Sequence, residues 1–110
     1  MRTPSTPGEI LKEEYMKPYG ISLSKVSDAL GVSPGTVSRL INGKSALSTD
    51  MALRLAKVFG TTPMFWINMQ TTYDIAVAKQ DKTLSAEIQK LKPYFDKSIT
   101  ENREDAQIDS

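Results

Sequence analysis

The sequence predicts an all-α fold with five helices, a C-terminal helical extension and a flexible tail. In five successive segments, apolar residues recur every three or four positions, which places them on one face of a helix. Ser or Thr residues that can cap a helix precede these segments, and glycines that can end a helix follow four of them. The predicted organisation is a flexible arm over residues 1–5, a domain over residues 6–80, a helical extension over residues 81–95 and a disordered tail over residues 96–110.

The composition limits the possible functions. The chain has 110 residues, of which 39% are hydrophobic and 25% are charged, as in ordinary soluble globular domains. Cysteine and histidine are both absent, which removes disulfides, thiolate nucleophiles, histidine bases and the usual zinc ligands. We therefore expect neither an enzyme nor a cofactor or metal site. The sequence contains no signal pattern and no apolar run of membrane length, so we expect a cytoplasmic protein without a membrane or small-molecule partner.

The net charge of +1 is distributed unevenly along the chain. Residues 1–60 carry eight Lys and Arg against five Asp and Glu, whereas residues 61–110 carry six against eight. A basic half favours contact with nucleic-acid phosphates. The excess is too small for strong DNA binding by phosphate contacts alone.

The first predicted helix opens with a capping box over Thr6-Pro7-Gly8-Glu9. In this pattern the Thr hydroxyl accepts the backbone N–H of the Glu, the Glu carboxylate accepts the backbone N–H of the Thr, and the proline sits where its missing N–H is no loss. Pro18 and Gly20 are expected to end the helix. Three residues form its predicted buried face: Ile10, Leu11 and Tyr15.

Residues 22–43 predict two short helices joined by a tight turn. Ser22 and Ser33 are the expected N-caps, and Gly31 and Gly43 are the expected terminators. Six apolar residues form the predicted inward faces: Leu23, Val26, Leu30, Val37, Leu40 and Ile41.

The outward face of the second helix in this pair is the most informative part of the chain. Its side chains are small or form hydrogen bonds: Gly35, Thr36, Ser38, Arg39 and Asn42. Such a face can approach base-pair edges closely, and an arginine can bind guanine O6 and N7 through two hydrogen bonds. A helix-turn-helix places its second helix in the major groove. The spacing alone leaves one alternative open, a purely structural helical hairpin.

Two further helices follow in the predicted domain. Ser48 is expected to cap the fourth helix, which runs to Phe59 and stops at Gly60, and Thr62-Pro63 opens the fifth. Arg54 is expected to pair with Asp50 across one helical turn and is not assigned to DNA. Four residues form the predicted inner face of the fourth helix: Ala52, Leu55, Ala56 and Phe59.

The fifth helix is apolar on more than one side: Phe65, Trp66, Ile67, Met69, Tyr73, Ile75 and Val77. A helix of this kind must bury more than one face. The core can take one side, including Trp66, and a second copy of the chain or another protein can take the other. Alternatively, a five-helix core buries the whole helix. The predicted dimer interface is formed by four residues: Phe65, Met69, Tyr73 and Val77.

Beyond Asp81 the sequence permits two structures. The fifth helix can run on, because Val77, Leu84 and Leu91 recur every seven residues. Alternatively, Ser85 caps a separate short helix that ends before the next proline. In that case two residues face inward: Ile88 and Leu91.

Several stretches resemble the Cro/C1-type (XRE, lambda-repressor-like) helix-turn-helix family and, within it, the HigA antitoxins. The resemblance covers about residues 7–79, and Ile41–Lys44 together with Gly60–Trp66 makes it more specific than the two-helix unit alone. The similar stretches are Pro7–Leu11, Ala29–Val32, Val37–Lys44, Ala52–Ala56, Phe59–Trp66, Gln70 and Tyr73-Asp74.

The resemblance implies an antitoxin with two tasks. Its homodimer would bind a palindromic operator in double-stranded DNA and repress its own operon, and it would neutralise a HigB-like mRNA interferase of the RelE type. The toxin-binding surface is expected either in residues 1–5 or in the segment after Asp81, and the sequence does not choose between them. Two alternatives remain: a stand-alone phage- or plasmid-type repressor without a toxin, and an interaction module for which operator binding is incidental.

The resemblance also implies particular DNA contacts. The residues expected at base edges are Ser33, Gly35, Thr36, Ser38 and Arg39. The residues expected at phosphates are Ser24, Asn42 and Lys44. Asn42 can equally serve only as a polar helix end. Two positions depart from the family pattern: Leu23 stands where Gln often touches a phosphate, and Ser27 stands where Ala often packs against the turn.

Overall fold

The computed structural model describes residues 3–95 and is helical throughout its regular elements. The predicted all-α helix-turn-helix class is confirmed. The predicted tail over residues 96–110 and the first two residues of the predicted arm lie outside the described residues. The helices are α1 (Pro7–Ile10), which continues as a π-helix (Leu11–Met16), α2 (Leu23–Leu30), α3 (Pro34–Ile41), α4 (Thr49–Phe59), α5 (Pro63–Lys79) and α6 (Lys82–Gln89).

The chain divides between Ala78 and Lys79 into two compact units. The first unit holds α1 to α4 and nearly all of α5, and the second holds α6. Among the described residues, no helix has both the length and the apolar character needed to cross a membrane.

The core of the first unit is formed by the inward faces of its helices. Trp66 lies at its centre, fully buried, and its indole N–H donates to the Thr61 hydroxyl at 2.6 Å. Its ring also packs against Tyr15 and Phe65, with ring centroids 5.4 Å and 5.2 Å away. The assignment of Trp66 to the core is therefore confirmed. The buried cluster is Leu11, Met16, Val26, Leu30, Val37, Leu40, Met51, Ala52, Leu55 and Trp66.

The first helix differs from its prediction in the second half. The capping box is present, with Thr6 N–H donating to Glu9 Oε1 at 2.8 Å and Glu9 N–H donating to Thr6 Oγ1 at 3.2 Å. After Ile10, however, the helix widens to π geometry. Leu11 and Met16 are both buried and stand five residues apart, the spacing that one π turn brings onto the same face. The sequence analysis missed Met16 because it assumed an α-helical period.

The remaining caps of the first unit are confirmed. Ser48 Oγ accepts from the Met51 N–H at 3.1 Å, and Gly60 ends α4 with a φ of 71°. Thr62 Oγ1 accepts from the Phe65 N–H at 3.2 Å at the start of α5. The helix boundaries thus follow local hydrogen bonds that the sequence already indicated.

The region after α5 settles the choice between one helix and two. Asp81 is extended, and its carboxylate accepts from the Leu84 N–H at 3.1 Å, so a separate helix begins at Lys82. Ser85 as the cap is therefore wrong. It lies inside α6, and its hydroxyl donates to the Lys79 carbonyl at 3.1 Å. Asp81 can act as the cap because its short side chain places a carboxylate oxygen within reach of a first-turn N–H.

Two further expectations for the second unit are wrong. Ile88 and Leu91 are 54% and 71% exposed rather than inward. The helix ends at Gln89, so Leu91 lies outside it. Residues 90–95 of the predicted helical extension are not helical. None of the described residues of α6 is buried, so this short helix has no buried apolar face.

Candidate nucleic-acid interface

The two-helix unit has the caps and termini that the sequence indicates. Ser22 Oγ accepts from the Lys25 N–H at 3.2 Å, and Ser33 Oγ accepts from the Thr36 N–H at 3.2 Å. Gly31 between the helices has a φ of 71°, a left-handed conformation that glycine adopts at least cost. These bonds satisfy N–H groups that otherwise have no partner in the first turn of a helix. They fix where α2 ends and α3 begins.

α3 is held by a buried inner face and presents a polar outer face. Val37 is fully buried and Leu40 nearly so, while Ile41 is half-buried against the core. On the opposite side, Gly35 and Arg39 are exposed. The other predicted DNA-facing residues are exposed (Ser33, Asn42) or half-buried (Thr36, Ser38).

The outward side chains of α3 are linked by hydrogen bonds in two groups. The Ser33 and Thr36 hydroxyls lie 2.9 Å apart, and Arg39 Nη2 donates to Thr36 Oγ1 at 3.4 Å. Asn42 Nδ2 donates to Ser38 Oγ at 3.3 Å. An arginine has five N–H donors, so this contact leaves most of the Arg39 guanidinium free for another acceptor. The face can therefore present oriented donors to a base edge.

Gly35 leaves the first turn of this face without a side chain. A Cβ atom at this position would lie 3.4 Å from Arg39 Nη1 and 3.9 Å from Ser33 Oγ. The missing side chain leaves the space in front of the helix open and allows the backbone to approach a large flat partner.

The end of α3 is closed by backbone bonds at Gly43 and Lys44. Gly43 has a φ of 71°, and the Lys44 N–H donates to the Arg39 carbonyl at 2.8 Å. This backbone pattern closes the helix and starts the following loop in a defined direction. Asn42 is the C-cap residue of α3, and both Asn42 and Lys44 are exposed. Ser24, the third predicted phosphate contact, is exposed in the first turn of α2.

The loop after α3 is fastened to α5 by Gln70. The Leu47 N–H donates to Gln70 Oε1 at 2.8 Å, and Gln70 Nε2 donates to Asp74 Oδ1 at 2.8 Å. The second bond orients the amide so that its oxygen faces the loop. Gln70 therefore supports the segment that carries Lys44, a role that the sequence analysis did not assign.

Of the four predicted dimer residues, two line one groove. Phe65 is exposed and Met69 half-buried, and together with Ile10 they line an apolar groove of about 430 Å³ beside α1. Tyr73 instead lines a smaller cleft next to Gly8. Val77 is exposed on α5.

The chain is similar in sequence and in fold to known helix-turn-helix proteins. A helix-turn-helix family model matches residues 12–67. The chain is 46% identical over 76 residues to virulence-associated protein I of Dichelobacter nodosus, which covers 69% of this chain and 70% of the relative. It is 43% identical over 74 residues to antitoxin HigA-1 of Vibrio cholerae, covering 67% and 70%. The structure of Pseudomonas aeruginosa antitoxin HigA with the higBA promoter superposes with a TM-score of 0.75 at 35% identity, covering 84% of this chain and 99% of that one.

The chain belongs to the Cro/C1-type helix-turn-helix family, in the group of the HigA antitoxins. This confirms the resemblance drawn from the sequence. Proteins of this family are DNA-binding regulators and not enzymes, so the expectation that the chain is not an enzyme is confirmed as well.

The HigA-like fold accommodates both departures from the family pattern. Ser27 is fully buried, and its hydroxyl lies 2.9 Å from the carbonyls of both Leu23 and Ser24, so its polar atom is satisfied within the helix. Leu23 is half-buried and packs against the core. An apolar side chain directed at the core has no group to offer a phosphate at that position.

Three residues that shape this candidate interface have contacts that the sequence did not predict. Gln70 was part of the resemblance but had no role, and Arg54 was given only its partner within α4. Gly8 was assigned only to the capping box, although its backbone packs tightly against Leu40. The missed contacts join positions more than twenty residues apart in the chain, which no local pattern indicates.

Proposed function

We propose that this protein is an antitoxin that binds operator DNA as a dimer, represses its own operon and neutralises a HigB/RelE-like mRNA interferase. The outward face of α3 carries the DNA-binding part of the proposal. It combines the open first turn at Gly35 with the oriented donors of Arg39, on a helix whose other side is buried in the core. The relatives named as antitoxins, one of them with promoter DNA, support the same assignment.

In the proposed complex, α3 lies in the major groove. Arg39 binds a guanine through its free donors, and Thr36 and Ser38 contact neighbouring base edges. Ser33 and Gly35 stand where the helix enters the groove. These contacts supply sequence preference.

The proposed phosphate contacts flank this helix on both sides. Ser24 contributes its hydroxyl from the first turn of α2, and Asn42 and Lys44 contribute from the end of α3. Contacts of this kind set the register of the protein on DNA but do not select a sequence. They release bound cations, so affinity falls as the salt concentration rises.

The proposed dimer places two recognition helices in successive major grooves, about 34 Å apart. The apolar groove lined by Phe65 and Met69 supports an interface on α5, because exposed apolar patches on small proteins mark interaction sites. Tyr73 and Val77 extend the same helix toward its C-terminal end. A dimer also doubles the phosphate contacts, which compensates for the small net charge.

Toxin neutralisation rests on the similarity to antitoxin HigA-1. The proposed toxin-binding regions are residues 1–5 and the segment after Asp81. Co-expression of a neighbouring small toxin gene with chains that lack residues 1–5 or 82–110 tests each region. Loss of co-purification in one truncation identifies the surface. A chain that represses its promoter but has no such partner is a stand-alone repressor instead.

The first test of the proposal is a gel shift. The purified full chain is titrated against a duplex from directly upstream of its own gene and against a scrambled duplex of equal length. We expect preferential binding of the first duplex and loss of that preference in Arg39→Ala. Lys57→Ala, which removes an exposed cation from α4, is the matched control and should bind like the wild type. Equal weak binding of both duplexes by the wild type contradicts operator recognition.

A further inference from the structure

The Arg54 guanidinium joins α4 to the end of α2. Its Nε donates to the Asp50 carboxylate one turn earlier in α4. Its Nη1 donates to the Leu30 carbonyl at 2.8 Å and to the Gly31 carbonyl at 3.2 Å. One side chain therefore ties two helices together at the point where the turn toward α3 begins.

The carbonyls that Arg54 binds need a donor from outside α2. The last carbonyls of a helix have no partner within the helix. At the end of α2, the carbonyls of Ser27 and Asp28 accept from backbone N–H groups of the turn, whereas those of Leu30 and Gly31 accept from Arg54. A cation at this end is also stabilised by the helix dipole, which is negative there.

Gly31 provides the space for this contact. A Cβ atom at Gly31 would lie 3.1 Å from Arg54 Nη1, closer than a side chain normally sits. The glycine therefore serves the left-handed turn and the approach of the guanidinium together.

We propose that Arg54 is a positioning residue for base recognition, an inference that rests on the proposed DNA binding by α3. In this arrangement Arg54 does not contact DNA. It holds the backbone at Gly31, two residues before the Ser33 cap of α3. Arg54 thus fixes the angle at which α3 leaves the turn relative to α4. Because α4 packs into the core, the orientation of α3 is fixed relative to the core as well.

A change in this angle affects the two kinds of DNA contact unequally. Hydrogen bonds to base edges require short distances and good alignment, so a small rotation of α3 removes them. Attraction between a cation and a phosphate falls only gradually with distance. Loss of the Arg54 contacts should therefore lower sequence preference more than general DNA affinity.

Lysine cannot reproduce the arrangement. Arg54 uses Nε toward Asp50 and Nη1 toward the end of α2, two donors held apart by a rigid plane. A lysine carries its donors on a single nitrogen at the end of a flexible chain. Arg54→Lys thus keeps the net charge and removes the geometry, which separates positioning from simple electrostatics.

The test measures binding of the full chain to the upstream duplex and the scrambled duplex by fluorescence anisotropy at one salt concentration. Arg54→Lys and Arg54→Met are compared with Lys57→Met, which alters an exposed cation three residues later in α4. We expect both Arg54 variants to bind the upstream duplex about tenfold more weakly, and Arg54→Lys to bind the scrambled duplex within about twofold of the wild type. Lys57→Met should preserve the ratio of the two affinities. Circular dichroism establishes that each variant is helical.

Two results of the binding experiment overturn the proposal. A folded Arg54→Lys variant with the wild-type affinity ratio shows that Arg54 does not position the reading helix. An equal loss on both duplexes in Arg54→Lys makes Arg54 a phosphate contact. If the wild type fails to distinguish the duplexes, the proposed function fails. Amide hydrogen exchange then tests separately whether Arg54 positions the start of α3. Arg54→Lys must accelerate exchange over residues 31–36 but not within α5, and unchanged exchange over residues 31–36 overturns the positioning role.

Discussion

The backbone of Gly8 packs directly against the carbonyl of Leu40. A Cβ atom at Gly8 would overlap that carbonyl oxygen and would lie 2.8 Å from the Cα of Ile41. Both partners are backbone atoms of α3, so they cannot turn aside as a side chain can. The first helix thus rests on the C-terminal end of the proposed reading helix, and this position requires glycine.

Gly8→Ala should destabilise the protein. The added methyl group must displace either α1 or the end of α3, and overpacking of this kind costs about 1–3 kcal/mol. Urea unfolding followed by circular dichroism measures the change. Gly35→Ala is the matched control, because its Cβ meets only side-chain atoms at 3.4 Å or more and a helical alanine is favoured by about 0.5–1 kcal/mol. Equal stability of the two variants would contradict the close approach.

Lys44→Ala should weaken binding to every DNA sequence by a similar factor. Lys44 is exposed at the end of α3, where we place a phosphate. Removal of one phosphate contact lowers the slope of log affinity against log salt by about one unit per chain and leaves base preference unchanged. Titrations at several salt concentrations on both duplexes measure the slope. An unchanged slope, or a loss restricted to the upstream duplex, would remove Lys44 from the phosphate contacts.

Gln70→Glu should weaken the attachment of the loop that carries Lys44 to α5. The new carboxylate can still accept from the Leu47 N–H. In the wild type the Asp74 carboxylate accepts from the Gln70 amide, so in the variant two carboxylates face each other. Loss of the hydrogen bond between residues 70 and 74, together with repulsion between the two carboxylates, should lower the free energy of unfolding by about 1 kcal/mol. Adding Asp74→Asn restores a donor opposite the carboxylate, so the double variant should recover most of the loss. Failure of the second change to rescue the first, measured by urea unfolding, would show that the pair does not act as a unit.

Phe65→Glu should dissociate the proposed dimer into monomers. Phe65 is 40% exposed and lines the apolar groove beside α1, so a charge there opposes burial against a second copy. Light scattering coupled to gel filtration gives the mass. Leu53→Glu is the control, since Leu53 is an even more exposed apolar residue on α4. Dissociation by Leu53→Glu and not by Phe65→Glu would place the dimer interface on α4.

Most of the candidate site could be predicted from the sequence because its pattern is local. The caps at Ser22 and Ser33 each involve an N–H three residues later, within a single helical turn. The outward face of α3 follows from the positions of Val37 and Leu40, because two buried residues fix which side of a helix points away. The same reasoning failed where the helical period itself changed, between Leu11 and Met16.

The sequence by itself determined where most helices start and stop and which side of α3 faces outward, since these depend on hydrogen bonds and spacing within a few residues. Only the tertiary structure decided how that helix is held. The bond from Leu47 to Gln70 and the bonds from Arg54 to the end of α2 join residues 23 or 24 positions apart. Such partners meet only after the helices have packed, because no short-range preference of the chain brings a side chain of α4 or α5 to a particular carbonyl or amide of an earlier turn.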